Sequence, residues 1–382
     1  MTGVALALLG IAGVGLAMLG VEGRALRRRL RGTVPVPRGA DGLSVLKPLR
    51  GVDDDLLANL ESFADQDWPV FEVLLGLHDA ADPAAPVAHA AAARWPGRFR
   101  VVIQGADLGM NPKVSQLASL IAAARYPILV ISDSNVRVEP AYLSEIAARL
   151  EDPGVGLVTH LIAGVGERSV GALLENLHLA GGVATGIAAA KAIAGRDVVM
   201  GKSMALRRED LDAMGGFEPV KDLLAEDFVI GQMVPRLLGK RVELAARPVQ
   251  NVVQDRTLAQ FFHRARRWAV LQHALVGPWL YAGQVVHNPV LFATLALLAA
   301  PAPWTAAAWF AVAAFRALLD GAAGASLRPG GVRPAQLLRV PLKDLLLGLA
   351  WVEGFFRRTV NWRGTRLRVL SGTRLAPPGA SR

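Results

Sequence analysis

With 382 residues the chain is too long for one ordinary compact domain and has room for a mid-sized enzyme domain plus membrane helices. Apolar residues make up 52% and mean hydropathy is +0.34, with the apolar runs gathered at the two ends, a distribution that points to a membrane protein with a soluble middle. The absence of cysteine excludes disulfides and thiolate metal sites, and the formal charge of +10 is crowded at Arg24–Arg31 and Arg357–Arg374 beside apolar segments, a placement that fits anionic lipid rather than nucleic acid.

Residues Val4 to Val21 are uncharged and as a helix would cover about 27 Å, close to the hydrocarbon thickness of a bilayer. The positive residues follow this run, whereas a cleaved signal would carry them before it. The positive-inside rule then puts the N-terminus outside and everything after Arg31 in the cytoplasm, on the inner membrane. The expected organisation is a membrane anchor over 1–23, a basic linker over 24–42 and a soluble domain over 43–275. A transmembrane hairpin follows over 280–322, turning at Pro301 and Pro303. Residues 335–358 are a spanning, re-entrant or interfacial helix, because Asp344 and Glu353 leave only a short uncharged run, and 359–382 are a basic cytoplasmic tail.

From Leu43 to about Ile162, short β-rich runs alternate with helical ones: LSVLK, VFEVLLGL, FRVVI, PILVIS and VGLVTHL are the strands. Strict alternation predicts an α/β domain with a mostly parallel sheet covered by helices, and such sheets bind ligands at the carboxyl ends of their strands. Residues Val170 to Ala194 read as a core helix or one lying at the membrane surface.

The residues that follow strands are the first candidates for chemistry. Asp79, in LHDA, is placed either to accept hydrogen bonds from a nucleotide or to serve as a turn residue. Asp133 and Asn135, in ISDSN, offer oxygen ligands at a spacing suited to a hard divalent ion on a diphosphate. Lys113 opens a helix after a Gly109–Pro112 turn, a spot for phosphate or a plain surface position. Glu226 and Asp227, in LLAEDF, either complement a helix dipole or supply a base with raised proton affinity. Arg264, Arg266, Arg267 and Trp268 match a diphosphate and an apolar wall for sugar or lipid, or form a basic lipid-facing helix. His160, His178 and His263 have no metal-ligand spacing and read as structural.

Taken in order, KPLRG from Lys47, LHD, NPK, SDSN, Gly201-Lys-Ser203, AED and RARRW before a C-terminal hairpin resemble the ceramide glucosyltransferase family, family-21 transferases of the GT-A fold. The resemblance runs from Lys47 to the Trp-Arg-Gly at Trp362–Gly364. It implies an inverting transfer of a hexose from a UDP-sugar to ceramide or a similar sphingolipid, with Mg²⁺ or Mn²⁺ as cofactor. It further implies that Lys47, Asp79, Lys113, Asp133, Arg264, Arg267 and Trp268 bind the nucleotide sugar, that Asp133 and Asn135 hold the metal, that Asp227 is the general base, and that Glu226 and Trp268 face the acceptor. Asn135 stands where many GT-A enzymes have a second acid, and Arg264 stands where relatives also use Gln. A hopanoid N-acetylglucosaminyltransferase shares nearly the same motifs. A processive polysaccharide synthase and a non-catalytic nucleotide-sugar sensor are the remaining alternatives.

Overall fold

The computed structural model describes residues 1–362 and 365–377; Arg363 and Gly364 of the closing Trp-Arg-Gly motif and residues 378–382 of the expected tail lie outside them. The first helix, α1 (Thr2–Leu30), carries the apolar run on through the arginines where a linker was expected, since Arg, Leu and Ala are all good helix formers. Val4, Leu6, Ile11, Val14 and Met18 point outward, whereas Ala5, Ala12, Gly15 and Leu19 pack inward.

The soluble block begins with β1 (Leu43–Pro48), α2 (Leu56–Ala64), β2 (Phe71–Leu77), α3 (Ala85–Arg94), β3 (Phe99–Ile103), α4 (Pro112–Ala123) and β4 (Ile128–Ser132). It continues with β5 (Val136–Arg137), α5 (Tyr142–Leu150), β6 (Val155–Thr159), β7 (Ile162–Val165), α6 (Val170–His178), a π-helical turn over Leu179–Ala184, and α7 (Thr185–Ala194). Then come β8 (Ser203–Arg207), α8 (Arg208–Ala213), α9 (Glu226–Leu237), β9 (Arg241–Leu244) and β10 (Val249–Val252).

Seven strands form the main sheet in the order β3-β2-β1-β4-β8-β6-β9. Strands β1 to β4 pair in parallel. Strand β8 is inserted antiparallel between β4 and β6, so VGLVT does not pair with PILVIS as simple alternation would have it. Each central strand sends alternate residues to opposite faces. Val45, Val73 and Val130 join the core under α2, α3 and α5, while Leu46, Leu74 and Ile131 join the core under α4 and α9. Burial on both faces explains the unbroken apolar sequences. Because the chain goes from β1 outward to β3 and returns to β4 on the other side of β1, the strand ends of β1 and β4 flank a topological switch point, where a crevice opens.

The C-terminal part comprises α10 (Leu258–Gly283), α11 (Pro289–Ala299), α12 (Pro303–Leu327), α13 (Pro334–Leu337), α14 (Val340–Phe356), β11 (Thr359–Trp362), β12 (Thr365–Val369) and β13 (Leu375–Ala376). Helix α10 kinks at Gly277, whose φ of 78° precedes Pro278. The segment Leu258–His287 and α11 then meet at a bend of 78°. Among the described residues three helices are long and apolar enough to cross a membrane: α1, the combined helix Val170–Ala194, and α12. The second is half buried beneath the soluble block and packs on α1 and α12, so it joins the two parts of the molecule. With 11 residues, α11 is about 16 Å long and falls short of a crossing by itself.

The segment expected as a basic tail carries secondary structure. Its described part forms the three-stranded antiparallel sheet β11-β12-β13, which packs on α10 and docks on the loop before α9. Leu224 N donates to Thr373 O at 2.9 Å, and Leu375 N donates to Asp222 O at 2.7 Å. The apolar residues Val360, Leu367, Val369 and Leu375 hold it there, against Val270 of α10.

Candidate active site

A cleft of about 670 Å³ opens at the switch point, and Lys113, Asp133, Asn135, Glu226, Asp227, Arg264, Arg267 and Trp268 all line it. Asp133 arrives because the five residues of β4 are fully buried and its position is the first that can take a charge. Its Oδ1 lies 2.9 Å from Lys113 Nζ and its Oδ2 lies 3.1 Å from Lys202 Nζ. Burial alone would raise the Asp133 pKa, but these two ammonium groups overcome it and hold the carboxyl well below the usual carboxylate range.

Lys113 owes its position to Asn111, whose side chain caps α4 by accepting from the amides of Lys113 at 3.0 Å and Val114 at 3.1 Å. The same Asn111 donates to Leu223 O at 2.7 Å and Glu226 Oε2 at 3.2 Å, which ties the helix start to the loop carrying the acids. Lys113 Nζ in turn reaches Glu226 Oε1 at 3.2 Å and Gly201 O at 3.2 Å. Burial would lower the Lys113 pKa; Asp133, Glu226 and Asp227 instead hold it above the usual lysine range. The ammonium is therefore a permanent positive charge at the cleft floor.

The adjacent acids divide their roles. Glu226 is buried, with one oxygen facing Lys113 and the other Asn111, and burial, opposed by Lys113 and reinforced by Asp227, pushes it up to about 7. Asp227 is half-buried and faces the cleft, its Oδ2 accepting from Gly201 N at 2.5 Å and its Oδ1 from Phe228 N at 2.8 Å. A Cβ on Gly201 would come within 2.8 Å of both Asp227 Oδ2 and Lys113 Nζ, so any side chain there would push one of these two groups out of place.

On α10, Arg264, Arg267, Trp268, Leu271 and Leu275 follow helical spacing along one face and line the cleft together. The Arg264 guanidinium lies over the Trp268 ring, 4.5 Å from its centroid, and its Nε pairs with Glu175 at 3.2 Å. Arg266 turns away and pairs with Glu353 at 3.4 Å.

Two expected donor-binding residues are placed differently. Lys47 is fully buried beneath the cleft, where its ammonium donates to Asp133 O at 2.8 Å, contacts Ser132 Oγ at 3.3 Å and sits over the Phe63 ring. Burial lowers its pKa well below the ordinary lysine value, and it acts as a prop for the Asp133 turn. Asp79 is exposed and accepts from Ala81 N at 2.8 Å as a turn residue, and the neighbouring His78 lines the cleft. Conversely, Lys202 and Glu175 line the cleft without having been singled out. The Gly-Lys-Ser ahead of β8 was the available signal for the first, and a charge inside an apolar helix was the signal for the second.

Among the described residues no three His, Asp or Glu side chains converge on one point. Asp133 Oδ2 and Asn135 Oδ1 do converge: Lys202 Nζ touches both, at 3.1 and 2.7 Å. A position from which a cation reaches a carboxylate and an amide oxygen fits a hard divalent ion that completes its shell with phosphate and water.

A mixed, mainly parallel sheet that delivers an acid to a cation-rimmed cleft at its switch point is the arrangement of the GT-A fold. The mannosyltransferase PcManGT of Pyrobaculum calidifontis, solved with GDP-mannose and Mn²⁺, shares that fold with a TM-score of 0.51 at 19% identity, over 93% of this chain and 99% of that one. The chain belongs to glycosyl transferase family 21, whose sequence profile matches residues 5–375. It is 28% identical to ceramide glucosyltransferase 1 of Caenorhabditis elegans over 62% of this chain and 50% of that protein. It is also 36% identical to a ceramide glucosyltransferase of Komagataella phaffii over 30% of this chain and 23% of that protein. The chain thus spans about half or less of the length of these curated relatives.

Proposed function

We propose that the protein transfers a hexose, glucose first among them, from a UDP-sugar to the primary hydroxyl of ceramide or a similar sphingolipid. The observation that supports this best is the continuity of the cleft. It runs from Lys113 and Asp133 past Asp227 to Leu271 and Leu275 on the helix that enters the membrane part, so one space offers a charged end to a diphosphate and an apolar end to a lipid. Asp227 takes the proton of the acceptor hydroxyl, whose oxygen forms a bond to the anomeric carbon as the bond to UDP breaks with inversion. Lys113 and Arg267, which line the cleft, face the leaving diphosphate, and Trp268 and Glu226 form the acceptor side. A divalent ion, Mg²⁺ or Mn²⁺, held by Asp133 and Asn135 would neutralise charge on the diphosphate.

We place the enzyme in the inner membrane as a multi-pass protein with its catalytic domain in the cytoplasm. The basic end of α1 supports this side, because Arg29 approaches Glu243 of the soluble block at 3.6 Å while Arg27 and Arg28 are exposed where anionic lipid head groups lie. Purified full-length chain given UDP-glucose, Mn²⁺ and ceramide is expected to release UDP and form glucosylceramide. Product formed only with UDP-N-acetylglucosamine and a hopanoid would transfer the assignment to that acceptor class, and no UDP release with any lipid would overturn the enzymatic reading.

A further inference from the structure

Lys202 stands apart from the other lysines of the cleft. Lys47 is sealed in the core, and Lys113 is shared among Asp133, Glu226 and Gly201 O. Lys202 contacts the Asp133 carboxylate at 3.1 Å and the neutral Asn135 oxygen at 2.7 Å, with Asp53 adding a further attraction. Its backbone is pinned on both sides. Gly201 N is bonded to Asp227, and the Ser203 hydroxyl is bonded to Tyr142 at 2.7 Å and His160 at 2.9 Å. Only the four-carbon arm is left to move, and it faces the cleft.

The two oxygens that Lys202 occupies are the pair that would hold a divalent ion under the proposed function, on which this inference rests. A divalent ion and an ammonium on the same oxygens disfavour each other, since they repel at close range and compete for the same acceptors. We propose that Lys202 is an internal competitor for the divalent ion, so that the ion enters only together with a nucleoside diphosphate. The diphosphate oxygens supply a new partner for the displaced ammonium, and the arm swings from Asp133 and Asn135 to the phosphates. No bond is made or broken in this exchange. Lys113 stays in place because Glu226 and Gly201 O hold it independently of Asp133. The lysine thus gates the order of binding: metal alone is rejected, and metal with diphosphate is accepted.

The test measures Mn²⁺ binding to the purified full-length chain by electron paramagnetic resonance of the free ion, with and without UDP, and needs no turnover. Wild type is expected to bind Mn²⁺ at least about tenfold more tightly with UDP present than without it. In Lys202→Met, which keeps the length of the arm and removes its charge, Mn²⁺ alone should bind at least about tenfold more tightly than to wild type. UDP without metal should bind more weakly. Lys202→Arg, which keeps the charge, should retain the wild-type discrimination. If Lys202→Met melts well below wild type, Lys202→Gln repeats the comparison. UDP-dependent Mn²⁺ binding in wild type together with unchanged metal-only affinity in both uncharged variants overturns the gate and leaves the metal reading standing. Failure of wild type to bind Mn²⁺ even with UDP removes the metal reading, and the gate with it.

Discussion

Two clusters of opposite charges lie inside this molecule, and they are built to different ends. Between α12 and α14, Arg316 pairs with Asp320 at 2.5 Å and Asp344 at 3.1 Å, while Lys343 pairs with the same two acids at 2.5 and 3.0 Å. Each of the two cations touches each of the two acids, and all four side chains are at most 4% exposed. The ring is closed by Arg316 donating to Gly181 O at 3.3 Å in the π-helical turn, where a Cβ would collide with Asp320. The cleft cluster has the same kinds of groups, but its side chains are partly open and Asp227 faces free space. A closed ring fixes helices to one another, whereas an open one leaves charges able to exchange partners with a ligand.

The contrast makes opposite predictions for removing one acid. Asp227→Asn should lower transfer by about 10²–10⁴ while leaving UDP-sugar affinity and the melting temperature close to wild type; calorimetric titration beside a UDP-release assay checks both. Near-normal turnover in that variant would assign the base elsewhere. Asp320→Ala should instead cost about 3–5 kcal/mol of stability, because it leaves two buried cations, Lys343 and Arg316, with one acid between them in a sealed site. Its readout is the yield and thermal midpoint in detergent, and Asp320→Asn combined with Lys343→Met should recover part of the loss. A smaller effect is expected from Gly201→Ala. Its added methyl displaces Asp227 or Lys113 without opening the core, so turnover should fall by up to about 10² with the melting point nearly unchanged.

These two clusters were unequally legible in the sequence. Asp133 could be placed at a strand end because four apolar residues and a serine lead into it, and the cleft-facing row on α10 follows from helical spacing. Of Arg316, Asp320, Lys343 and Asp344, Asp344 alone was noticed, as an interruption of an uncharged run, since nothing local says that two helices will bring the four together. The same limit hid β8. Its insertion between β4 and β6 is a pairing of segments far apart in sequence, and a strand's own residues do not name its neighbour. The place of Lys47 was hidden for a related reason: the group that receives its ammonium at 2.8 Å is the carbonyl of Asp133, just beyond β4 and remote in sequence. The expected tail became a sheet because Val360, Leu367 and Val369 find an apolar partner in Val270, a contact invisible without the fold.

Glu226 belongs to both patterns, being buried like the helix ring yet joined to the cleft through Lys113. Its pKa in the folded chain is about 7 against an ordinary 4.5. Between those values the folded chain holds a proton that the unfolded chain has lost, so the contribution of this group to stability is present below about pH 4.5 and is lost as pH rises through 7. Glu226→Gln mimics the protonated form, including the hydrogen that one oxygen must then carry toward a neighbouring donor. It should match wild type in melting temperature near pH 5 and exceed it by roughly 2–4 °C at pH 8. If Glu226 belongs instead to the exchanging set, with Lys113 depending on its charge for position, Glu226→Gln will be less stable than wild type at pH 8. Thermal melts of the two proteins across this pH range therefore decide whether Glu226 is a desolvated acid tolerated for the sake of the cleft or a charge that the fold needs.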